Sequence, residues 1–96
     1  MAVQVLVPWI TKLLLENDRV KVYEFSQKPG EKTEMHEHPD LIVYPLTDSS
    51  MRFTYRDGTT KEVKFKKGEA AFSKSQWHAV ENIGDSESRI LAIDLK

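Results

Sequence analysis

The chain has 96 residues, enough for one domain and near the small end of what buries a self-sufficient core. A 40% hydrophobic and 30% charged composition excludes a disordered chain, and a net charge of −1 with scattered Lys and Arg offers no basic stripe to nucleic acid. Cysteine is absent, which removes disulfides, thiolate metal sites and Cys nucleophiles together.

The apolar opening, Met1 to Ile10, lacks a basic n-region and a small-residue cleavage site, is interrupted by Pro8, and is too short to span a bilayer. The chain therefore reads as cytoplasmic, with no membrane partner. Residues 2–7 and 9–15 are apolar and β-branched enough for strands broken at Pro8, while Leu13-Leu14-Leu15 suits the end of a short helix equally well. Residues 1–15 make an N-terminal apolar arm, expected to cover a sheet edge of its own chain or of a partner in a homodimer.

Glu16-Asn17-Asp18 reads as a turn, and Arg19 to Ser26 as a strand. Lys28-Pro29-Gly30 is a turn signal, followed by a histidine-bearing strand over Thr33 to His38. Pro39-Asp40 breaks it, and Leu41-Ile42-Val43-Tyr44 is a short buried run. Met51, Phe53 and Tyr55 alternate with Arg52, Thr54 and Arg56, the clearest period-two strand in the chain, and Asp57-Gly58 predicts a type I′ hairpin returning through Lys61 to Phe65. Lys66-Lys67-Gly68 turns, Ala70 to Ser73 and Trp77 to Val80 are strands, Asn82 to Asp85 turns again, and Arg89 to Leu95 closes the chain. Eight to ten short strands with no helical period imply an all-β sandwich or barrel in a single domain over 1–96.

The three histidines are His36, His38 and His78. On a strand, residues two apart share a face, so His36 and His38 project together. With His78 on a second strand facing the same interior, they form a candidate three-nitrogen metal site. Imidazole suits zinc, copper, iron and nickel, so ligand type does not name the metal, and the expected cofactor is a divalent ion such as iron, zinc, nickel or manganese. A lone His-x-His also arises on a solvated strand face, and the reading rests on all three histidines converging. The candidate pocket is Glu34, Ile42, Tyr44, Phe53, Phe72 and Trp77, although Glu34 also suits a rim position and aromatics at strand spacing are commonly packing. Asp40 is a secondary ligand candidate, and Asn82 reads as structural.

Gly30, five residues and then His36-Glu37-His38 resembles the first motif of the cupins, and Gly68-Glu69 followed by His78, three residues and Asn82 resembles the second. From about Glu16 to Lys96 the chain resembles the compact, single-domain, RmlC-like cupins, including those found beside β-alanine degradation genes. That resemblance implies a cupin-type double-stranded β-helix, a jelly-roll barrel, with metal at its mouth. Two departures stand out. The glutamate usual four or five residues after the second histidine is replaced by Ile42 and Val43, and the usual proline and glycine ahead of the second-motif histidine are missing before His78.

Three neutral imidazoles leave a divalent ion its full charge, which matches a small anionic or chelating organic molecule. The first functional reading is a three-histidine metal-dependent oxygenase, resembling the three-histidine iron dioxygenases among the cupins. The alternative is a non-catalytic small-molecule binding or sensing module with a structural metal. The missing glutamate and the lack of an obvious acid–base pair weigh against the enzyme.

Overall fold

The computed structural model describes residues 5–96, so the start of the arm and of the strand expected over 2–7 falls outside the described residues. Among these residues there are eleven strands and no helix: β1 (Val5–Leu6), β2 (Lys12–Glu16), β3 (Val20–Gln27), β4 (Glu31–Lys32), β5 (His36–His38), β6 (Leu41–Pro45), β7 (Ser49–Tyr55), β8 (Thr60–Phe65), β9 (Ala71–Ser73), β10 (Gln76–Asn82) and β11 (Ser88–Leu95). They form two facing sheets. One runs β1-β4-β10-β7-β8, with β5 also paired to β10; the other runs β2-β3-β11-β6-β9. Every pairing is antiparallel except β1 with β4. This is the jelly-roll architecture.

Alternation places the core. On β11, Ser88, Ile90, Ala92 and Asp94 are buried, and on the neighbouring β3 Tyr23, Phe25 and Gln27 lie beside the first three on the same inward face. Phe25, Met51, Val80 and Ile90 form the central apolar cluster, with Val43, Phe53 and Phe65 packed against it. Met51 is wholly buried, and a side chain of that kind contributes about 1.5–3 kcal/mol by leaving water.

Three glycines with positive φ set the tight turns. Lys28-Pro29-Gly30-Glu31 and Lys66-Lys67-Gly68-Glu69 each close with a backbone bond from the fourth residue to the first, with glycine in the third position at φ 85° and 81°, the pattern of a type II turn. The Asp57-Gly58 hairpin departs from the expected type I′ geometry. That turn needs positive φ at both central residues, yet only Gly58 (φ 88°) has it. Gly58 N–H bonds Tyr55 O and Tyr55 N–H bonds Thr59 O, so the loop is three residues long and glycine closes it as a bulge. Asp57 Oδ1 instead accepts from the Thr59 N–H and hydroxyl.

The arm pairs with its own chain. β1 lies beside β4 at the edge of one sheet, and β2 lies beside β3 at the edge of the other. Leu13 to Leu15 are strand, not helix, with a register shift between Leu13 and Leu15. Val5, Leu6, Leu13, Leu14 and Leu15 remain about half exposed. No helix among the described residues is long and apolar enough to cross a membrane.

Candidate functional site

Two strands bring the histidines together. β5 and β10 pair with His36 directly opposite His78, and His38 lies two residues along β5 on the same face. All three rings are buried: His38 is 2% exposed, His36 and His78 7% each. Ring centres lie 5.0 Å apart for His36 and His78 and 4.5 Å apart for His38 and His78. Glu37 points outward, as alternation requires.

Hydrogen bonding fixes two of the tautomers. His36 Nδ1 lies 2.9 Å from Glu34 O, and His38 Nδ1 lies 2.6 Å from Pro39 O. A carbonyl only accepts, so each Nδ1 carries the proton and each Nε2 is left with a free lone pair. His38 Nε2 and His78 Nδ1 are buried without a hydrogen-bond partner. Such orphaned buried groups cost stability unless something else uses them. Burial, then the neighbouring His38, lowers the His78 pKa to about 3, and burial likewise lowers that of His36. Those two rings are therefore neutral at physiological pH, the form that ligates metals.

As the rings stand, no group of three His, Cys, Asp or Glu side chains among the described residues closes into an ion-holding cluster. The donors suit a divalent cation in kind, protonation state, burial and proximity.

A cavity of about 400 Å³ opens beside the histidines, within the size range of small-molecule sites. Its walls are mainly apolar, with Phe25, Val43, Met51 and Phe65 among them. Phe53 and Phe72, expected in the pocket, line it; Phe53 stacks on His78 with ring centres 5.2 Å apart, and Phe72 sits at an exposed rim. Four expected pocket residues do not line it. On β6, Leu41 and Val43 take the inward positions, so Ile42 and Tyr44 face away. Trp77 precedes the inward His78 and so points out, where the Arg56 guanidinium covers its ring at 4.4 Å. Glu34 precedes β5 and its side chain is exposed; only its carbonyl serves the site, by orienting His36. Asp40 is exposed and accepts from Ser75 N–H at 2.8 Å, tying down the approach to β10.

Two contributors escape the sequence reading. Trp9 lines the cavity and lies flat on His36, ring centres 4.6 Å apart and planes 6° off parallel. Tyr23 also lines the cavity, and its hydroxyl donates to Asp94 Oδ1 at 3.1 Å. Burial raises the pKa of both members of that pair. Asp94 falls in the strand expected over Arg89 to Leu95, but nothing in the sequence pairs it with a tyrosine 71 positions away.

No family model matches the sequence, and no curated protein matches it either. Solved structures do. A cupin domain from Bordetella pertussis Tohama I superposes with a TM-score of 0.82 at 26% identity, covering 100% of this chain and 98% of its own. An RmlC-like cupin family protein with a double-stranded β-helix fold from Methanocaldococcus jannaschii gives 0.70 at 14% identity, over 88% of this chain and 76% of its own. A cupin-2 domain containing protein from Shewanella frigidimarina NCIMB 400 gives 0.64 at 15% identity, over 94% and 83%. The two paired sheets, the length and these likenesses together give the chain the cupin fold, the double-stranded β-helix of small RmlC-like proteins.

Proposed function

We propose that the chain binds one divalent cation through His36, His38 and His78 and a small anionic or chelating organic molecule in the adjoining cavity, with oxygenase chemistry on that molecule as its activity. The observation that carries the reading is the set of ring nitrogens. The Nδ1 atoms of His36 and His38 are spent on backbone carbonyls, which leaves their Nε2 lone pairs free, and His38 Nε2 is buried with no other partner. Carbonyls that hold the far nitrogen of a ligating histidine are the usual means of orienting it.

A bound cation would supply a Lewis-acid or redox centre. The chain's own residues do the rest. Phe53 backs His78, the apolar wall excludes water, and the Tyr23–Asp94 pair offers a buried hydroxyl and carboxyl from the facing sheet. No glutamate stands in β6, and the inward residue there is Val43, which favours keeping a binding or sensing module as the second reading.

Elemental analysis of protein purified without an affinity tag is expected to find one equivalent of iron, zinc, nickel or manganese. The His36→Ala/His38→Ala double variant is expected to lose it while keeping its β-sheet circular dichroism. Metal retained in the double variant overturns the site. Oxygen uptake by anaerobically Fe(II)-loaded protein given β-diketones, thiols and catechols then separates the readings, since no uptake despite stoichiometric iron selects the binding module.

The exposed leucines of β2 and the apolar residues of β1 fit a homodimer that buries the arm. A monomeric mass by light scattering at micromolar concentration overturns that assembly.

A further inference from the structure

We propose that Trp9 is a positioning residue of the histidine site: the arm carries its indole across the mouth of the cavity, where it fixes the ring of His36 and forms the outer wall. The proposal rests on the metal reading above.

The arm is pinned on both sides of this residue. Val7 N–H bonds Lys32 O at 2.9 Å, at the edge of the sheet that holds the histidines. Thr11 N–H bonds Glu24 O at 2.8 Å, and Ser26 N–H bonds Thr11 Oγ1 at 2.9 Å, at the edge of the opposite sheet. Residues 8–10 thus bridge the gap between the two sheets, outside any ladder. Pro8 suits that crossing, having no N–H to satisfy and a fixed φ.

Trp9 stands between the two anchors. One face of its indole lies on His36, and part of it remains at the surface, 37% exposed. The bond from Nδ1 to Glu34 O holds one edge of the His36 ring but leaves it free to rock about that bond. A flat aromatic contact resists that rocking, because any tilt of the imidazole meets the indole. The same device occurs on the neighbouring ligand, where Phe53 lies within 10° of the His78 plane. Phe53 comes from a central strand; its counterpart on His36 comes from the arm, so the site is incomplete without that segment.

The chain has two tryptophans, so Trp77→Phe leaves Trp9 as the sole indole. In that background, Cu(II) is expected to quench the emission of Trp9, saturating at a single equivalent. In the otherwise unchanged chain, Trp9→Ala is expected to weaken Ni(II) binding about tenfold in competition with a chromophoric chelator, and to speed its release. That factor is the low end of the range for groups that orient a ligating histidine. Trp9→Phe keeps a flat ring and is expected to recover most of the loss. Thr11→Ala keeps the indole but removes the acceptor for Ser26 N–H, and is expected to weaken binding in the same direction by a smaller factor. Unchanged Ni(II) affinity in Trp9→Ala, a loss that Trp9→Phe does not recover, or unquenched Trp9 emission overturns the positioning role. If the parent chain binds no Ni(II), or the His36→Ala/His38→Ala variant binds it equally well, the metal reading fails and this role goes with it.

Discussion

Strand β10 carries a buried polar cluster at each end, and the two are built differently. At its far end Asn82 donates through Nδ2 to Gln27 O and Ser86 O and accepts from Gly84 N–H, while Gln27 Nε2 donates to Glu31 O and Val80 O. Val80 N–H donates to Thr33 Oγ1. Only Gln27 Oε1 stays without a partner. Four residues back, about 13 Å along the strand, the histidines leave one nitrogen on His38 and one on His78 unpartnered. Burial is similar at both ends, so satisfaction is what separates them. Hydrogen-bonded buried groups tie strands together, whereas unpaired ones are a standing cost that a ligand can relieve. The Asn82 knot joins β3 on one sheet to β10 on the other; the histidine end is open to the cavity.

The comparison breaks most visibly at Asn82. Asn82→Ala removes three hydrogen bonds, one to the buried Gln27 O and two to the less buried Ser86 O and Gly84 N–H, at about 1 kcal/mol each. A loss of about 3 kcal/mol in urea denaturation at pH 7 is expected, with Ni(II) affinity unchanged. A weaker site with unaltered stability would mean that the two ends are not separate in function.

His78 tests the opposite end through pH. Burial holds its folded-state pKa at about 3, below the 6.5 of an ordinary histidine, so the unfolded chain takes up a proton first as pH falls. Its contribution is therefore full above 6.5 and declines as pH drops toward about 3, the sign for a neutral buried histidine. For the metal-free protein that amounts to about 2 kcal/mol between pH 7 and pH 5, at 1.36 kcal/mol per unit. His36 acts in the same direction, and Asp94, whose pKa is raised, acts in the opposite one at more acid pH. His78→Phe fills similar space, removes the orphaned nitrogen and is expected to flatten this slope while abolishing ion binding. Parallel pH profiles for parent and variant would show that the ring is not held neutral by the fold.

How far the sequence reached follows from where alternation has a phase. Met51 to Tyr55 alternate strongly, so their faces were legible, as was the shared face of His36 and His38; Ile90 to Ile93 is apolar throughout, and only the structure shows that Ile90, Ala92 and Asp94 are the buried side. Leu41 to Tyr44 is apolar throughout and gives no phase, and the inward pair is Leu41 and Val43 in place of the expected Ile42 and Tyr44. Trp77, expected in the pocket, cannot share a face with His78, because neighbours on a strand point to opposite sides. In the hairpin, Asp57-Gly58 marks a turn, but the length of the loop is set by strand register, with Thr54 paired to Thr60, and that register is tertiary. Trp9 was out of reach for the same reason. An aromatic beside a proline in an apolar arm announces a break, yet its partner His36 lies 27 positions on, and only the pairing of β1 and β2 to opposite sheets brings the two together.

The smallest expected effect sharpens the contrast from the knot's own side. Ser88 Oγ and Ser49 Oγ lie 2.8 Å apart and buried, linking β11 to β7. Ser49 keeps other partners in Thr47, whose hydroxyl lies 3.1 Å away and whose carbonyl accepts at 3.3 Å. Ser88→Ala therefore strands no buried group, and its cost is that of one neutral hydrogen bond, about 1 kcal/mol. For a chain of this length that is a fall in melting temperature of about 4–8 °C. The same substitution at an end that left Ser49 orphaned would cost more, because the desolvation of the abandoned hydroxyl would be added to the lost bond. A fall well beyond that range would mean that Thr47 does not satisfy Ser49, and that this end of the barrel gains an unpartnered buried hydroxyl like the unpartnered atoms of His38, His78 and Gln27.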